Sequence, residues 1–413
     1  MKTKLIFLLA LAQGLTPLSL FSREDVNGEG NKTTYRIPET VAASCSPGTA
    51  AADLAVNNVR CRIMNTGDMW WDFSSARYEI PKGSGKHSMF AGALWIAGVD
   101  GAGNLKVAAM TYRQSGVDFW PGPLDDQAST DASTCNMYDK MWRINRKDVE
   151  MFANDEIPMT PEIENWPGND QYGNILAPFA DLNENNLYEP ELGEYPGYAL
   201  ADSASCTGEH IYCDETLWWV FNDMGNIHTE SNAEAIGLEI HAQAFGFTTN
   251  DEINNMTFYQ YKIINKSTYT INNTYFGQWV DADLGNYTDD YVGCDVPRGL
   301  GYCYNGDADD DGGMGYGMNP PAIGVDFFQG PLADDSDGID NDRDCQVDET
   351  GEQIIMSKFV YYNNDASVTG NPNGGTHIYN YLQGIWKDGT PMTYGGSGHG
   401  GTTVCNFMFP GNS

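Results

Sequence analysis

The clearest hydrophobic pattern in the chain is an alternation of apolar and polar residues over residues 236–244. The apolar positions are Ile236, Leu238, Ile240, Ala242 and Ala244, and Glu239, His241 and Gln243 lie between them. A period of two is typical of a β-strand that buries one face. Residues 256–264 and 270–280 continue the strand pattern, with Asn, Lys and Ser turn residues between them. Three long antiparallel strands joined by short turns predict a β-sandwich.

A second strand pair is predicted earlier in the chain. Residues 93–99 are apolar and aromatic, residues 100–104 form a turn cluster, and residues 105–112 resume the strand pattern, which predicts a β-hairpin. Residues 120–200 are rich in Pro, Asn, Asp and Gly and predict loops, whereas residues 353–362 predict a further strand. No amphipathic helix of several turns is evident. The predicted fold class is all-β, with antiparallel β-sandwich domains and long Asp/Gly-rich loops.

The first residues of the chain predict export. Lys2 and Lys4 precede an apolar run over residues 5–12, as in a secretory signal peptide, and the run is too short and interrupted for a membrane span. An ordinary hydrophobic first strand is the alternative. We therefore expect a secreted or outer-cell-surface protein with no membrane insertion after cleavage of the signal.

The texture of the chain predicts four regions. They are a signal peptide (residues 1–22), a polar leader (residues 23–57), a β-rich domain with long loops (residues 58–200) and a β-sandwich (residues 201–413) with an acidic insertion at residues 281–352. Near the C-terminus, a glycine-rich stretch and a short strand-like segment end abruptly, which suggests truncation.

The charge balance narrows the class of partner. The chain has 57 acidic and 22 basic residues, for a net charge of −35. Such a chain repels nucleic acid and is suited to collecting divalent cations. A hydrophobic content of 41% and an aromatic content of 12% argue against disorder over most of the chain.

The acidic insertion is the strongest candidate for chemistry. Residues 281–352 contain 17 Asp and two Glu but only two basic residues, Arg298 and Arg343. Calcium prefers several oxygen ligands on closely spaced carboxylates and carbonyls. The best spacing is that of Asp340, Asp342 and Asp344, with Asp348, Glu349 and Glu352 following to close a site. Cys345 stands where a calcium loop of the EF-hand type has glycine.

Three further clusters are imperfect matches to a calcium loop. Asp307, Asp309 and Asp311 have the alternate spacing, but Met318 stands where a bidentate Glu is expected; Asp281 and Asp283 form a cluster with Asp289 and Asp290; and Asp181, Asn183 and Asn185 precede Leu192 at the closing position. Solvated acidic loops, or an Asn-rich turn at residue 181, are the alternative.

Nine cysteines fit disulfide formation in an exported protein. The closest pairs in sequence, Cys206 with Cys213 and Cys294 with Cys303, are the best local candidates. An odd total leaves at least one cysteine without a partner in the chain.

No catalytic motif stands out, because neither HExxH nor GxSxG occurs. Aromatic pairs at Trp70-Trp71 and Trp218-Trp219 could stack on sugar rings, although packing in a sandwich core is the favoured interpretation. A glycosidase needs only two carboxylates, which sequence alone can neither find nor exclude here.

Four longer sequence segments resemble those of a known group of proteins. They are residues 93–100 (ALWIAGVD), 118–124 (DFWPGPL), 289–295 (DDYVGCD) and 319–331 (NPPAIGVDFFQGP). The chain resembles the N-terminal part of large secreted Bacteroidota proteins that end in a type IX secretion sorting domain, and no such domain is evident here. The resemblance implies location more than activity. It also implies that residues 340–349 are similar to the calcium loops of thrombospondin-type repeats.

We therefore expect a non-enzymatic, calcium-stabilised structural or adhesion protein. Its expected partners are surface glycans or other cell-surface proteins. The alternative is a secreted carbohydrate-binding or carbohydrate-active protein.

Overall fold

A computed structural model of the chain describes residues 4–10, 44–114, 116–197, 213–334 and 336–411. The strands are β1 (Lys4–Ala10), β2 (Ala51–Leu54), β3 (Arg60–Met64), β4 (Asp68–Met69), β5 (Tyr78–Glu79), β6 (His87–Met89), β7 (Ala91–Val99), β8 (Leu105–Ala109), β9 (Trp120–Pro121), β10 (Trp142–Asn145), β11 (Phe179–Ala180), β12 (Tyr195–Pro196), β13 (Glu215–Asn222), β14 (Leu238–Gly246), β15 (Phe258–Asn265), β16 (Asn272–Asp281), β17 (Asp290–Asp295), β18 (Leu300–Asn305), β19 (Asp309–Asp310), β20 (Gly317–Met318), β21 (Ala322–Asp326) and β22 (Lys358–Tyr362). The helices are α1 (Ala132–Met137), α2 (Arg146–Ala153), α3 (Pro161–Glu164) and α4 (Gly375–Leu382), and two 3-10 turns lie at Pro190–Leu192 and Glu252–Asn255.

The larger sheet has ten strands. Its main path runs β22-β1-β16-β7-β4-β3-β5-β6, while β8 pairs with β7 and β2 pairs with β3. All of these pairings are antiparallel. Strands β7 and β8 confirm the predicted hairpin at residues 93–112. Strand β16 pairs with β7, so residues on both sides of position 200 build one sheet.

The second sheet has five strands in the order β10-β13-β14-β15, with β9 beside β13. Strand β13 shows how it is packed. Leu217, Trp219 and Phe221 join the core shared with the larger sheet, while Trp218 and Val220 join a separate cluster on the opposite face. Successive side chains of a strand point to opposite faces, so both faces of β13 are buried. The chain is therefore all-β and sandwich-like, with antiparallel sheets.

Both faces of β14 are buried, whereas the alternating sequence pattern predicts that only its apolar face is buried. Glu239, His241 and Gln243 are all buried. The loops and short helices of residues 125–197 supply the cluster on that side of the sheet. Buried polar groups need partners, and His241 Nε2 lies 2.7 Å from Glu239 Oε1 while Gln243 donates to Thr216 at 2.8 Å.

The three strands predicted over residues 236–280 form as expected, but they do not all pair in one sheet. Strands β14 and β15 pair in the smaller sheet, but β16 crosses to the larger sheet and pairs with β7 and β1. The predicted strand at residues 353–362 is shorter and begins at Lys358. No described helix is long and apolar enough to cross a bilayer.

The N-terminal residues take part in this architecture. Residues 4–10, which fall within the predicted signal peptide, form β1 between β16 and β22; residues 1–3 and 11–43 lie outside the described part. The predicted polar leader ends in structured chain, because β2 pairs with β3 and Cys45 forms a disulfide with Cys135.

The predicted local disulfides need correction. Cys294 and Cys303 are both free and buried. In the β17–β18 register, Cys294 lies opposite Gly301 and Cys303 opposite Val292, so the two cysteines are offset along the hairpin rather than facing each other. Cys213 is also free, and its predicted partner Cys206 lies outside the described residues.

Candidate cation site in the acidic loop

Residues 336–352, called the acidic loop below, are held at their base by main-chain contacts. Leu332 and Gln353 form an antiparallel bridge. Ala333 N donates to Glu352 O at 2.9 Å, and Ile354 N donates to Pro331 O at 2.9 Å. This closure brings the end of the loop back beside its beginning, and Glu352 returns to the Asp-rich middle.

The middle of the acidic loop wraps around its own carboxylates. Asp340 accepts the backbone N–H groups of Asp344 at 3.2 Å and Cys345 at 3.1 Å, and Asp342 also accepts from Asp344 N at 3.1 Å. Arg343 and Cys345 have positive φ angles of 62° and 76°. Asp side chains favour such local turns, and the turn directs successive carboxylates toward one side.

The wrapped loop brings carboxylates together in two groups of three. One oxygen from each of Asp340, Asp342 and Glu352 lies within 4.8 Å of the others, and the same holds for Asp342, Asp344 and Glu349. Asp342 belongs to both groups. Oxygen ligands at this spacing suit a hard cation, so these acidic groups could hold a metal ion.

Glu352 provides the most specific sign of a cation. It is only 3% exposed. One carboxylate oxygen accepts the N–H of Asn341, but the other, Oε2, is buried and has no hydrogen-bond partner among the described residues. A buried carboxylate without a counter-charge is costly, and a cation between Glu352, Asp340 and Asp342 would remove that cost.

No Lys, Arg or His of the described residues forms a salt bridge with Glu352. Arg343, the only basic residue of the acidic loop, donates to Met356 O at 2.7 Å and lies over the ring of Phe407. The pKa of Glu349 is raised above its ordinary value: its own backbone N–H lowers it, but burial and the neighbouring carboxylates, Glu352 foremost, outweigh that contribution. The acidic loop thus concentrates negative charge.

The structure separates Asp348 from both groups of three. Its two carboxylate oxygens accept the N–H of Gly338 at 3.0 and 3.2 Å. Asp348 therefore braces the loop backbone, and Glu352 stands in the position that the sequence spacing favoured for Asp348.

The Asp181 loop has the same local fold but a different closure. Asp181 accepts the N–H groups of Asn185 at 3.1 Å and Asn186 at 2.7 Å. The side-chain amides of Asn183 and Asn185 both donate to Glu189, at 3.0 and 2.6 Å. Amide donors occupy the role here that a cation would take in the acidic loop.

The other predicted ligands lie elsewhere. Asp307, Asp309 and Asp311 are exposed, and they form no group of three within the part of the chain that the structure describes. Asp281 is fully buried and accepts a hydrogen bond from Tyr112. Asp283 is buried near the start of the acidic insertion.

Sequence reasoning missed Asp310, which lies between two exposed neighbours. It is 1% exposed and accepts the N–H groups of Asn286 at 3.0 Å and Tyr316 at 2.6 Å. Successive side chains of an extended segment point to opposite sides. If Asp309 and Asp311 point outward, Asp310 between them points inward, and this alternation is the only sequence signal for its burial.

The tryptophans do not form a sugar-binding surface. Trp70, Trp71, Trp218 and Trp219 are all buried, as the core interpretation expected. They are therefore unavailable for stacking on a glycan, and the carbohydrate alternative loses the feature that suggested it.

Comparison with known proteins gives no relatives. No protein-family profile matches the sequence, and neither a curated protein nor a solved structure matches the chain.

Proposed function

We propose that the chain is a secreted or cell-surface structural or adhesion protein whose acidic loop is held by calcium. The observation that carries the proposal is Glu352: its buried Oε2 lacks a hydrogen-bond partner in the described chain, and one oxygen of its carboxylate lies within 4.8 Å of an oxygen of Asp340 and of Asp342. Carboxylates alone would repel one another in this arrangement. Calcium accepts six to eight oxygen ligands at flexible geometry, and the crowded carboxylates of this loop provide several.

The contrast with the Asp181 loop supports a structural role for the ion. Both loops use the same backbone wrapping, yet only the acidic loop replaces the amides with carboxylates at the second and third positions. Carboxylates in place of amides lower the stability of the loop when no cation is bound, because they repel one another, and raise it when a cation binds between them. The ion would fix a long loop beside β21 and β22, as calcium does when it stabilises extracellular modules.

Support for export is indirect. The basic and apolar start of the chain fits the pattern of a signal peptide, and a disulfide joins Cys45 to Cys135, as is common in oxidising compartments. Surface glycans and other cell-surface proteins are the proposed partners of such a module.

The test is thermal unfolding of the full chain with calcium and with excess chelator. Extracellular sites bind calcium at roughly 10⁻⁴–10⁻³ M, so about 2 mM calcium would stabilise the fold by roughly 0.6–2 kcal/mol. The wild type should melt a few degrees higher in calcium than in chelator. Glu352→Gln should remove most of that difference.

The matched control is Glu156→Gln, the same change at an exposed position. It should keep the full calcium response. A wild-type melting curve identical in calcium and chelator, with no calcium detected by elemental mass spectrometry, would refute the proposal.

A further inference from the structure

A second set of oxygen atoms faces inward away from the acidic loop, at the start of the β17–β18 hairpin. Asp290 lies directly opposite Asn305 in the antiparallel register. Directly opposite residues share a face of the sheet, with Cβ atoms roughly 5 Å apart. The carboxylate of Asp290 and the amide of Asn305 are therefore neighbours on one face.

Both side chains have an acceptor oxygen without a donor. Asp290 Oδ2 accepts the N–H of Leu284 at 2.9 Å, and the Cys303 thiol lies close enough to interact with the Asp290 carboxylate, but Asp290 Oδ1 is buried with no hydrogen-bond partner among the described residues. Asn305 is only 7% exposed; its Nδ2 donates to Asp307 O at 3.3 Å, and its Oδ1 is buried and similarly unmatched. Two adjacent buried acceptors call for a positive group between them.

The surroundings add negative charge. Burial first, and then the carboxylates of Asp283, Asp310 and Asp289, raise the pKa of Asp290 to about 7, against the lowering effect of the Leu284 N–H. Asp289 also has a buried oxygen, Oδ1, without a partner in the described chain. No Lys or Arg of the described residues forms an ion pair with Asp289 or Asp290.

We propose that Asp290 and Asn305, with Asp283 from the segment that follows β16, bind a hard divalent cation at a buried site separate from the acidic loop. Carboxylate and amide oxygens are the ligands that calcium prefers. Leu284 N donates to Asp290 Oδ2, which anchors the segment carrying Asp283 against Asp290. The ion would join the end of β16 in the larger sheet to the β17–β18 hairpin.

The buried amide of Asn305 distinguishes this site from a solvated acidic surface. An acidic cluster alone is commonly a solvated surface, but a nine-tenths buried amide oxygen with no donor is not. Asn305 ligates through a neutral oxygen, so it contributes coordination without adding to the repulsion among the carboxylates.

The test counts calcium ions on the full chain by native mass spectrometry and equilibrium dialysis with calcium as the probe. Asp290→Asn should bind one calcium fewer than the wild type and retain the calcium response lost by Glu352→Gln. The exposed control Asp126→Asn should bind the wild-type number. An unchanged count in Asp290→Asn overturns this inference and leaves the acidic loop proposal untouched.

A second variant separates a cation from a proton. Asn305→Asp keeps the shape of the side chain and adds a third carboxylate, so a bound cation predicts calcium binding about tenfold tighter at this site. If only a proton bridges Asp290 and Asn305, the variant will melt lower than the wild type by the same amount in calcium and in chelator. That result overturns the inference.

Discussion

Asp181 and Asp340 hold the same two backbone groups: each accepts the N–H of the residue four positions on and of the residue five positions on. The positive φ angles recur at matching places, at Glu184 and Asn186 in one loop and at Arg343 and Cys345 in the other. The two loops differ in how a later carboxylate is satisfied. In the first, the amides of Asn183 and Asn185 donate to Glu189; in the second, one oxygen of Glu352 accepts the Asn341 N–H and the other has no partner among the described residues.

This difference predicts that calcium slows amide exchange in the acidic loop and leaves the Asp181 loop unaffected. Calcium should slow amide hydrogen exchange at Asp344 and Cys345, because the ion fixes the carboxylates that these N–H groups contact. Exchange at Asn185 and Asn186 should not change. Hydrogen exchange read by mass spectrometry distinguishes the two loops, and equal slowing in both would show that the Asp181 loop also binds the ion.

The same comparison predicts that the Asp181 loop can be converted. Asn183→Asp with Asn185→Asp removes both amide donors to Glu189 and leaves carboxylates at the spacing of the acidic loop. The double variant should melt below the wild type in chelator, because like charges now meet at Glu189. Calcium should restore part of the loss. The control pair Asn183→Ala with Asn185→Ala should be destabilised with no recovery in calcium.

The carboxylate of Asp139 should make a contribution to the free energy of unfolding that depends on pH. It accepts hydrogen bonds from Thr49 N at 2.7 Å, Ala50 N at 2.9 Å and Asn65 Nδ2 at 2.9 Å. Partial burial raises the pKa of Asp139, but the hydrogen bonds, that of the Thr49 hydroxyl first, lower it below its ordinary value. Asp139→Ala should lower the free energy of unfolding by roughly 1–2 kcal/mol at neutral pH.

The sign of the pH effect follows from that lowered pKa. The stabilisation is fully present above the ordinary Asp pKa and is lost as the pH falls through the lower folded value. Denaturant unfolding at pH 7 and in steps below pH 4 should show the gap between wild type and Asp139→Ala narrowing toward acid. A gap that widens at low pH would contradict this account.

The disulfide between Cys45 and Cys135 closes a long loop, with a sequence separation of 90. Cross-links of this span typically stabilise by roughly 2–5 kcal/mol. The pair Cys45→Ser with Cys135→Ser should therefore lower the unfolding midpoint in denaturant. Cys345→Ser, at an exposed free cysteine, should leave the midpoint unchanged; a matching loss there would point to a general effect of cysteine removal.

The fold was predictable where the pattern is local. The alternation that defines β14 and the turn between β7 and β8 both lie within short windows of sequence. The burial of Glu239 and His241 was not predictable, because the layer covering them comes from residues 125–197. The crossing of β16 to the other sheet depends on β7, nearly two hundred residues earlier.

The candidate site divides in the same way. The alternate spacing of Asp340, Asp342 and Asp344 indicated the acidic loop directly. The sequence also indicated Glu352 as one of three residues that could close the site, but its place beside Asp340 and Asp342 instead of Asp348 depends on the bridge between Leu332 and Gln353. The pairing of Asp290 with Asn305 depends on the hairpin register. Neither relationship is visible until the strands are aligned.

Strand β1 has a further consequence for maturation of the chain. It supplies the main-chain pairing between the neighbouring edges of β16 and β22 in the described sheet, while Trp279 Nε1 of β16 also donates to the Tyr362 hydroxyl of β22 at 2.7 Å. Cleavage of the predicted signal peptide would take residues 4–10 away and leave two rows of main-chain N–H and C=O groups facing across the width of one strand. Unpaired edges of this kind readily accept a new partner strand. Signal-peptide cleavage would then change the conformation of the protein as well as sort it, because the larger sheet must either close over the gap or accept a replacement strand.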